Sequence, residues 1–304
     1  MISRRGLGKL ALGAMAFPAA AARKIDSVVS GVQFGLQSYI FTGIGLPQDS
    51  LVDVVIASMV ECGLGECDLY APLVEPGSLW DKARAPGATA AERAQARAEL
   101  SAWRASVSLD HYRPLRKKFE DAGIEIYAMT GFPGSTEAEL TKTFEIAELL
   151  GVRLISLTVP LSAAQRMAPL VEKSNFAVSI QGGPNVNSTN PDAVAKPEDH
   201  DKALAFSKSY RLTFDIGDGT GGGFESLQFV EKHHDRLAKI DVKDRKKDRT
   251  SMPYGEGDTP VREILRLIRD RKYDIRCYLD CDYKTADRRA DVKRSFEYVK
   301  AALR

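Results

Sequence analysis

Three short segments near the C-terminus end in carboxylates. They are Leu212-Thr213-Phe214-Asp215-Ile216-Gly217-Asp218, Lys239-Ile240-Asp241-Val242-Lys243-Asp244 and Tyr278-Leu279-Asp280-Cys281-Asp282. Each is an apolar run of strand type. Roughly 25–40 residues separate their starts, as the βα units of a parallel barrel require. In such a barrel the C-terminal ends of the strands build the active site. Three strands that each bring an Asp to one rim make an oxygen-rich metal site or an acid/base cluster. The plainer alternative is that single Asp residues only cap helices or solvate loops.

Positioning these carboxylates takes a closed set of strands, and eight candidates are present. They lie at residues 31–41, 64–70, 124–129, 153–159, 176–181, 210–216, 237–242 and 275–280. Between them run amphipathic stretches at 51–62, 115–122, 137–150, 224–234 and 261–271, with apolar residues recurring at three and four. Gly63, Gly123 and Gly151 follow three of these stretches as helix stops. Thr259-Pro260 reads as an N-cap followed by a proline in the first turn. The alternation predicts an α/β fold, a (β/α)8 TIM barrel. Residues 72–108 exceed a βα loop and carry a helical run from Ala90 to Trp103, and residues 182–197 form a polar, turn-rich loop. The glycine-rich Asp218–Gly223 reads as a tight βα turn, with anion binding by its amides as the alternative.

Composition narrows the field. The chain has 304 residues, 44% of them apolar, which suits one large barrel. No apolar stretch reaches the ~20 residues of a membrane span. The N-terminus holds Arg4-Arg5, an apolar stretch to Phe17, and Ala19–Ala22 before Arg23. That order reads as a twin-arginine export signal over residues 1–22, with the barrel at 23–304 and a periplasmic or otherwise exported location. Three of the 43 basic residues and none of the 41 acidic ones lie in that signal. The remainder therefore carries 40 against 41, a net charge of −1 instead of the +2 of the whole chain. No cationic excess is left for nucleic acid or membrane. Cys62, Cys67, Cys277 and Cys281 have poor zinc spacing and read as small buried residues. His233 and His234 fall at the end of a helix, on the stability face.

The run from residue 224 to 283, with HHDRLAKIDVKDRKK, MPYGEGDTPVREIL and YLDCDYK, resembles the sugar phosphate isomerase/epimerase group. Residues 63–76 (GLGECDLYAPLVEP), Leu36-Gln37-Ser38-Tyr39, and the stretch from Arg116 to Tyr127 fit the same group. The resemblance covers nearly all of residues 23–304 and implies a xylose isomerase-like barrel. It also implies a divalent metal at the mouth, held from the ends of strands 5 to 8. Carried onto this sequence, the ligand positions are Gln181, Asp215, Asp241 and Asp280. It places Gln37, Asp68, Ser179 and Asp218 in contact with substrate. At the mouth, Lys243 is expected to neutralise developing negative charge, Glu256 or Asp282 to shuttle protons, and Asp280 to serve in catalysis as well as in the ligand set.

This sequence departs from the group's pattern. Asp241 stands where a His is usual and Asp280 where a Glu is usual. Strand 5 offers Ser179 and Gln181 in place of an acid or imidazole. A set without imidazole suits Mg²⁺, Mn²⁺ or Ca²⁺ better than Zn²⁺. Shortening Glu to Asp withdraws the carboxylate by on the order of 1.5 Å. Without a second acid on strand 5, a two-base epimerisation loses one partner. Lys239 shares strand parity with Asp241 and Lys243, so a Lys–Asp network in place of the metal is the competing arrangement. The expected activity is proton abstraction next to a carbonyl of a carbohydrate or polyol, as in isomerisation or epimerisation. A lyase acting by β-elimination on an oxidised sugar, or a silent sugar- or partner-binding barrel, is the alternative. Oligomeric state is not legible.

Overall fold

The computed structural model describes residues 23–182, 188–283, 285 and 287–304. The expected export signal lies outside the described residues.

Eight parallel strands close into a barrel: β1 (Val32–Gln37), β2 (Glu66–Tyr70), β3 (Glu125–Thr130), β4 (Leu154–Leu157), β5 (Ala177–Gln181), β6 (Tyr210–Asp215), β7 (Leu237–Val242) and β8 (Arg276–Leu279). Closure comes from β1, which pairs with β8 on one side and β2 on the other. All eight strands fall where the sequence predicts them. β1 is shorter than expected, because Ser38–Phe41 turns into a 3-10 helix over which Gln37 accepts from the Tyr39 amide. Two short antiparallel additions flank the barrel, Val28–Val29 against β1 and Asp244–Arg245 against Ser251–Met252.

The helices are α1 (Gln48–Cys62), α2 (Gly77–Arg84), α3 (Ala90–Ser106), α4 (Arg113–Asp121), α5 (Glu137–Leu150), α6 (Leu161–Lys173), α7 (Pro197–Ala205), α8 (Ile216–Gly221), α9 (Ser226–His233), α10 (Val261–Arg271) and α11 (Arg288–Ala302). Helix α10 shows how the pattern works. Val261, Ile264, Leu265 and Ile268 recur at three and four and are the residues it buries. Thr136 starts α5 with a capping box to Glu139, and Gly151 ends it at positive φ. The insertion after β2 is the pair α2 and α3. It is tied down where Arg104 meets both carboxylate oxygens of the buried Glu75, at 2.7 and 2.8 Å, and Trp80 donates to the same group.

Two sequence expectations differ in detail. Asp218–Gly223 is not a bare turn, because residues 216–221 form helix α8, capped by the Asp215 carboxylate on the Asp218 amide at 2.9 Å. Thr259 does not cap α10. Its hydroxyl exchanges hydrogen bonds with the Arg245 backbone, and Pro260 takes the cap position.

Alternation sorts the strand residues by face. Phe34, Leu36, Leu212, Phe214, Ile240, Val242, Cys277 and Leu279 join the main apolar core with the helices. The inside of the barrel is different. Its apolar content is a small separate cluster of Ala128, Leu154 and Tyr278. The Tyr278 ring fits because Gly35 stands across from it; a Cβ there would lie 2.4 Å from Cε1. The rest of the interior is polar and charged, where a barrel of this type is ordinarily filled with branched aliphatic side chains. All four cysteines are free; Cys67, Cys277 and Cys281 are buried.

Candidate active site

The polar interior rises in layers toward the C-terminal ends of the strands. At the bottom, the Glu66 carboxylate accepts from the Tyr278 hydroxyl and from Arg276, each at 3.1 Å. Ser156, Ser179 and Thr213, on β4, β5 and β6, form a closed triangle of hydroxyls with edges of 3.0, 2.8 and 2.7 Å. This triangle lets three buried hydroxyls satisfy one another.

A first ammonium sits across the barrel. Lys239 is fully buried and pairs with Asp68 and, at 2.8 Å, with Asp241. Thr130 donates to Asp68 at 2.8 Å, Gln37 donates to it at 3.0 Å, and Gln181 donates to Asp241 at 3.3 Å. Burial works against the charged lysine, but Asp241 and Asp68 outweigh it and raise its pKa. One ammonium cannot neutralise two carboxylates. Burial, opposed by Lys239, pushes Asp241 up to about 6.

A second ammonium lies above it, at the mouth. Lys243 Nζ is 2.8 Å from Asp215, 2.8 Å from Asp280 and 3.4 Å from Asp282. Arg245 extends the cluster, 2.6 Å from Asp218 and 2.8 Å from Asp282. Strand ends deliver all of these groups. Asp215 closes β6, Lys243 follows β7, and Asp280 and Asp282 follow β8. The Asp280 amide donates to Val242 O and to the buried Tyr254 hydroxyl, which fixes its backbone. Four carboxyls face two cations, so charge balances when two of them hold protons. Burial, with the Asp215 charge next, pushes Asp218 up to about 7. Burial likewise pushes Asp280 up to about 8; Lys243 opposes this, and the Asp215 and Asp282 charges add to it. Asp282 goes the other way. Burial raises it, but Lys243, Ser251 and Arg245 together hold it below the usual range. The mouth thus places a carboxyl that titrates near neutrality against a permanent cation.

The structure sorts the sequence-predicted site residues. Asp215, Asp280, Asp282, Asp218 and Lys243 come together. Gln37, Asp68 and Ser179, expected to touch substrate, are buried with their polar atoms engaged inside the protein. Glu256, expected to shuttle protons, is half exposed and pairs with Arg294 on the surface. Its loop is held by the buried Asp244 carboxylate, which accepts from the amides of Gly255, Gly257 and Thr259 and leaves Glu256 pointing outward.

The four expected metal ligands do not act as one set. Asp215 and Asp280 hold Lys243, whereas Asp241 is held by Lys239 and Gln181. Among the described residues no group of three or more His, Cys, Asp or Glu is arranged to hold a metal ion. The donor set does not fit a divalent ion alongside the ammonium.

Arg245 was legible by carrying the alternation 239, 241, 243 one step further. His200 carried no such signal. It lies on α7, yet it lines a recess with Gly182, Thr213, Asp215, Asp218 and Phe224. Its Nδ1 is 2.9 Å from Lys196 O, and burial lowers the pKa of the ring.

No protein-family model and no curated protein matches the sequence. Solved structures do match in fold. A xylose isomerase domain protein from Alicyclobacillus acidocaldarius aligns at 14% identity and a TM-score of 0.61, over 90% of this chain and 99% of its own. A sugar phosphate isomerase/epimerase from Parabacteroides distasonis aligns at 14% and 0.58, over 93% and 98%. A D-allulose 3-epimerase from Methylomonas sp., solved in complex with D-allulose, aligns at 10% and 0.57, over 93% and 99%. At these identities the likeness is one of fold, the xylose isomerase-like barrel.

Proposed function

We propose that this barrel acts on a carbohydrate or related polyol by moving a proton next to a carbonyl. The observation that carries this reading is the Lys243 ammonium 2.8 Å from Asp280, whose carboxyl is pushed up to about 8 by burial. A carboxyl so placed gives up and recovers a proton at working pH. The adjoining ammonium offers a fixed positive charge where an enediolate oxygen develops. Asp282 and Arg245 set the orientation of this pair through their own ion pairs. The carbohydrate class is supported by the fold shared with an epimerase that holds D-allulose. Isomerisation and β-elimination both begin with such a proton transfer. We further propose that residues 1–22 direct export by the twin-arginine route, which favours a substrate without phosphate.

A second reading has its own support. The side chains of Lys243 and Asp280 are each only 6% exposed, with the ammonium bonded inside the protein. A barrel closed in this way binds a sugar without transforming it.

Proton exchange separates the two. The protein is incubated with a panel of keto- and aldo-sugars in D2O, and NMR follows the hydrogen next to the carbonyl. The catalytic reading expects exchange that disappears in Asp280→Asn and in Lys243→Met and persists in Glu256→Gln. A sugar that binds, shown by calorimetry, with no exchange in the unmodified protein establishes the silent reading.

A further inference from the structure

We infer that Lys243 is a built-in replacement for a divalent cation: its ammonium takes the place in the carboxylate cage at the barrel mouth that a metal ion would otherwise occupy. The inference concerns the site of the proposed reaction but does not depend on any turnover there.

Three observations carry it. The first is geometric. Lys243 Nζ engages Asp215 Oδ2 and Asp280 Oδ2 at 2.8 Å, with Asp282 Oδ2 at 3.4 Å. A divalent ion bonds carboxylate oxygens at roughly 2.0–2.6 Å. Ion and ammonium therefore compete for the same oxygens and the same place. The second is acceptor capacity. An ammonium donates three hydrogen bonds, and three carboxylates surround this one. The remaining oxygens Asp280 Oδ1 and Asp282 Oδ1 are buried and have no hydrogen-bond partner among the described residues. Asp280 itself is 4% exposed. The carboxylates around the ammonium thus hold more oxygen atoms than it contacts, Asp282 Oδ2 being shared with Arg245 at 2.8 Å.

The third observation is that the surrounding backbone accommodates the lysine stem. Gly217, two residues after Asp215, lies so close that a Cβ would stand 2.7 Å from Lys243 Cγ and 2.9 Å from its Cβ. The segment that supplies a carboxylate to the ammonium also leaves the room for its stem. One layer below, Lys239 does for Asp68 and Asp241 what Lys243 does for the mouth. Asp241, the remaining carboxylate at an expected ligand position, is thereby withdrawn from the cage.

The test reads metal binding, so it stands apart from any failure to find a sugar substrate. Mn²⁺ is titrated into the purified protein and into Lys243→Ala, with calorimetry and the EPR signal of free Mn²⁺ as readouts. The vacated cage in Lys243→Ala is expected to bind one Mn²⁺ on the order of 100-fold more tightly than the unmodified protein. Adding Asp280→Asn to that variant is expected to remove the gain. Tight stoichiometric Mn²⁺ binding by the unmodified protein overturns the inference, and so does a folded Lys243→Ala that binds no better. If Lys243→Ala does not fold, thermal unfolding of the unmodified protein decides. A melting temperature unmoved by Mn²⁺ and by a chelator supports an internal cation, and a rise with Mn²⁺ overturns it.

Discussion

Gly217 leaves no space between itself and Lys243: a Cβ at that position would come within 2.7 Å of the lysine Cγ. Gly217→Ala therefore has to push the stem aside, and the ammonium at its end moves with it. Overpacking of this kind costs about 1–3 kcal/mol, which a denaturant midpoint reads. The loss in proton exchange is expected to exceed the loss in stability, because the ammonium leaves Asp280 while the barrel stays folded. A variant as stable and as active as the parent would show that the lysine is not held in this position.

The pair of Lys243 with Asp215 is open to a double-mutant cycle. Asn at 215 keeps an oxygen for the Asp218 amide, so the cap of α8 survives Asp215→Asn. Lys243→Met alone leaves buried carboxylates without their cation and is expected to cost about 3–5 kcal/mol. The double change is expected to cost less than the sum of the two single ones, with a coupling of about 1–3 kcal/mol. Additive effects in urea unfolding would mean that the two groups do not sense each other.

The barrel was legible because its signals are local. Strand runs, helical spacing and the glycines at 63 and 151 each state their meaning within a few residues. Lys243, Asp215 and Asp280 were legible as a group, since each ends a strand of matching type. Which cation joins them was not. An ammonium reaching back between two carboxylates is a tertiary fact, and strand parity shows only that Lys239, Asp241 and Lys243 face one way. Depth was equally hidden. Gln37, Asp68 and Ser179 sit on the right strands, but hydrogen bonds and an ion pair inside the barrel take up their polar atoms, which strand assignment does not reveal. Glu256 misled because its motif lies near the mouth in sequence, while Asp244 turns the loop so that Glu256 faces out.

Depth makes its own prediction at Ser179. Its hydroxyl is fully buried and bonded to Ser156 and Thr213, which also bond to each other at 2.8 Å. Ser179→Ala leaves that last bond intact, so the expected cost is about 1 kcal/mol. The KM for any substrate found by proton exchange is expected to stay unchanged. A raised KM with unaltered stability would return Ser179 to the substrate-contacting role suggested by its strand.

Asp280 makes stability depend on pH with a definite sign. Burial pushes its carboxyl up to about 8, Lys243 opposes that, and the Asp215 and Asp282 charges add to it. In the unfolded chain an Asp titrates near ~3.9. Between about pH 4 and about pH 8 the folded protein holds a proton that the unfolded chain has lost. The stability this group contributes is therefore complete below about pH 4 and is lost as pH rises toward about 8. Asp280→Asn is neutral throughout and escapes the loss. Its melting temperature, taken relative to the parent, is expected to climb between about pH 5 and about pH 8 and then level off. Asp218 and Asp241 are raised as well, to about 7 and about 6, so a smaller slope of the same sign remains in the variant. A difference between variant and parent that is flat across this range would mean that Asp280 is already ionised in the folded protein. Lys243 would then serve as its counter-charge, and the proton for the proposed reaction would have to come from Asp218.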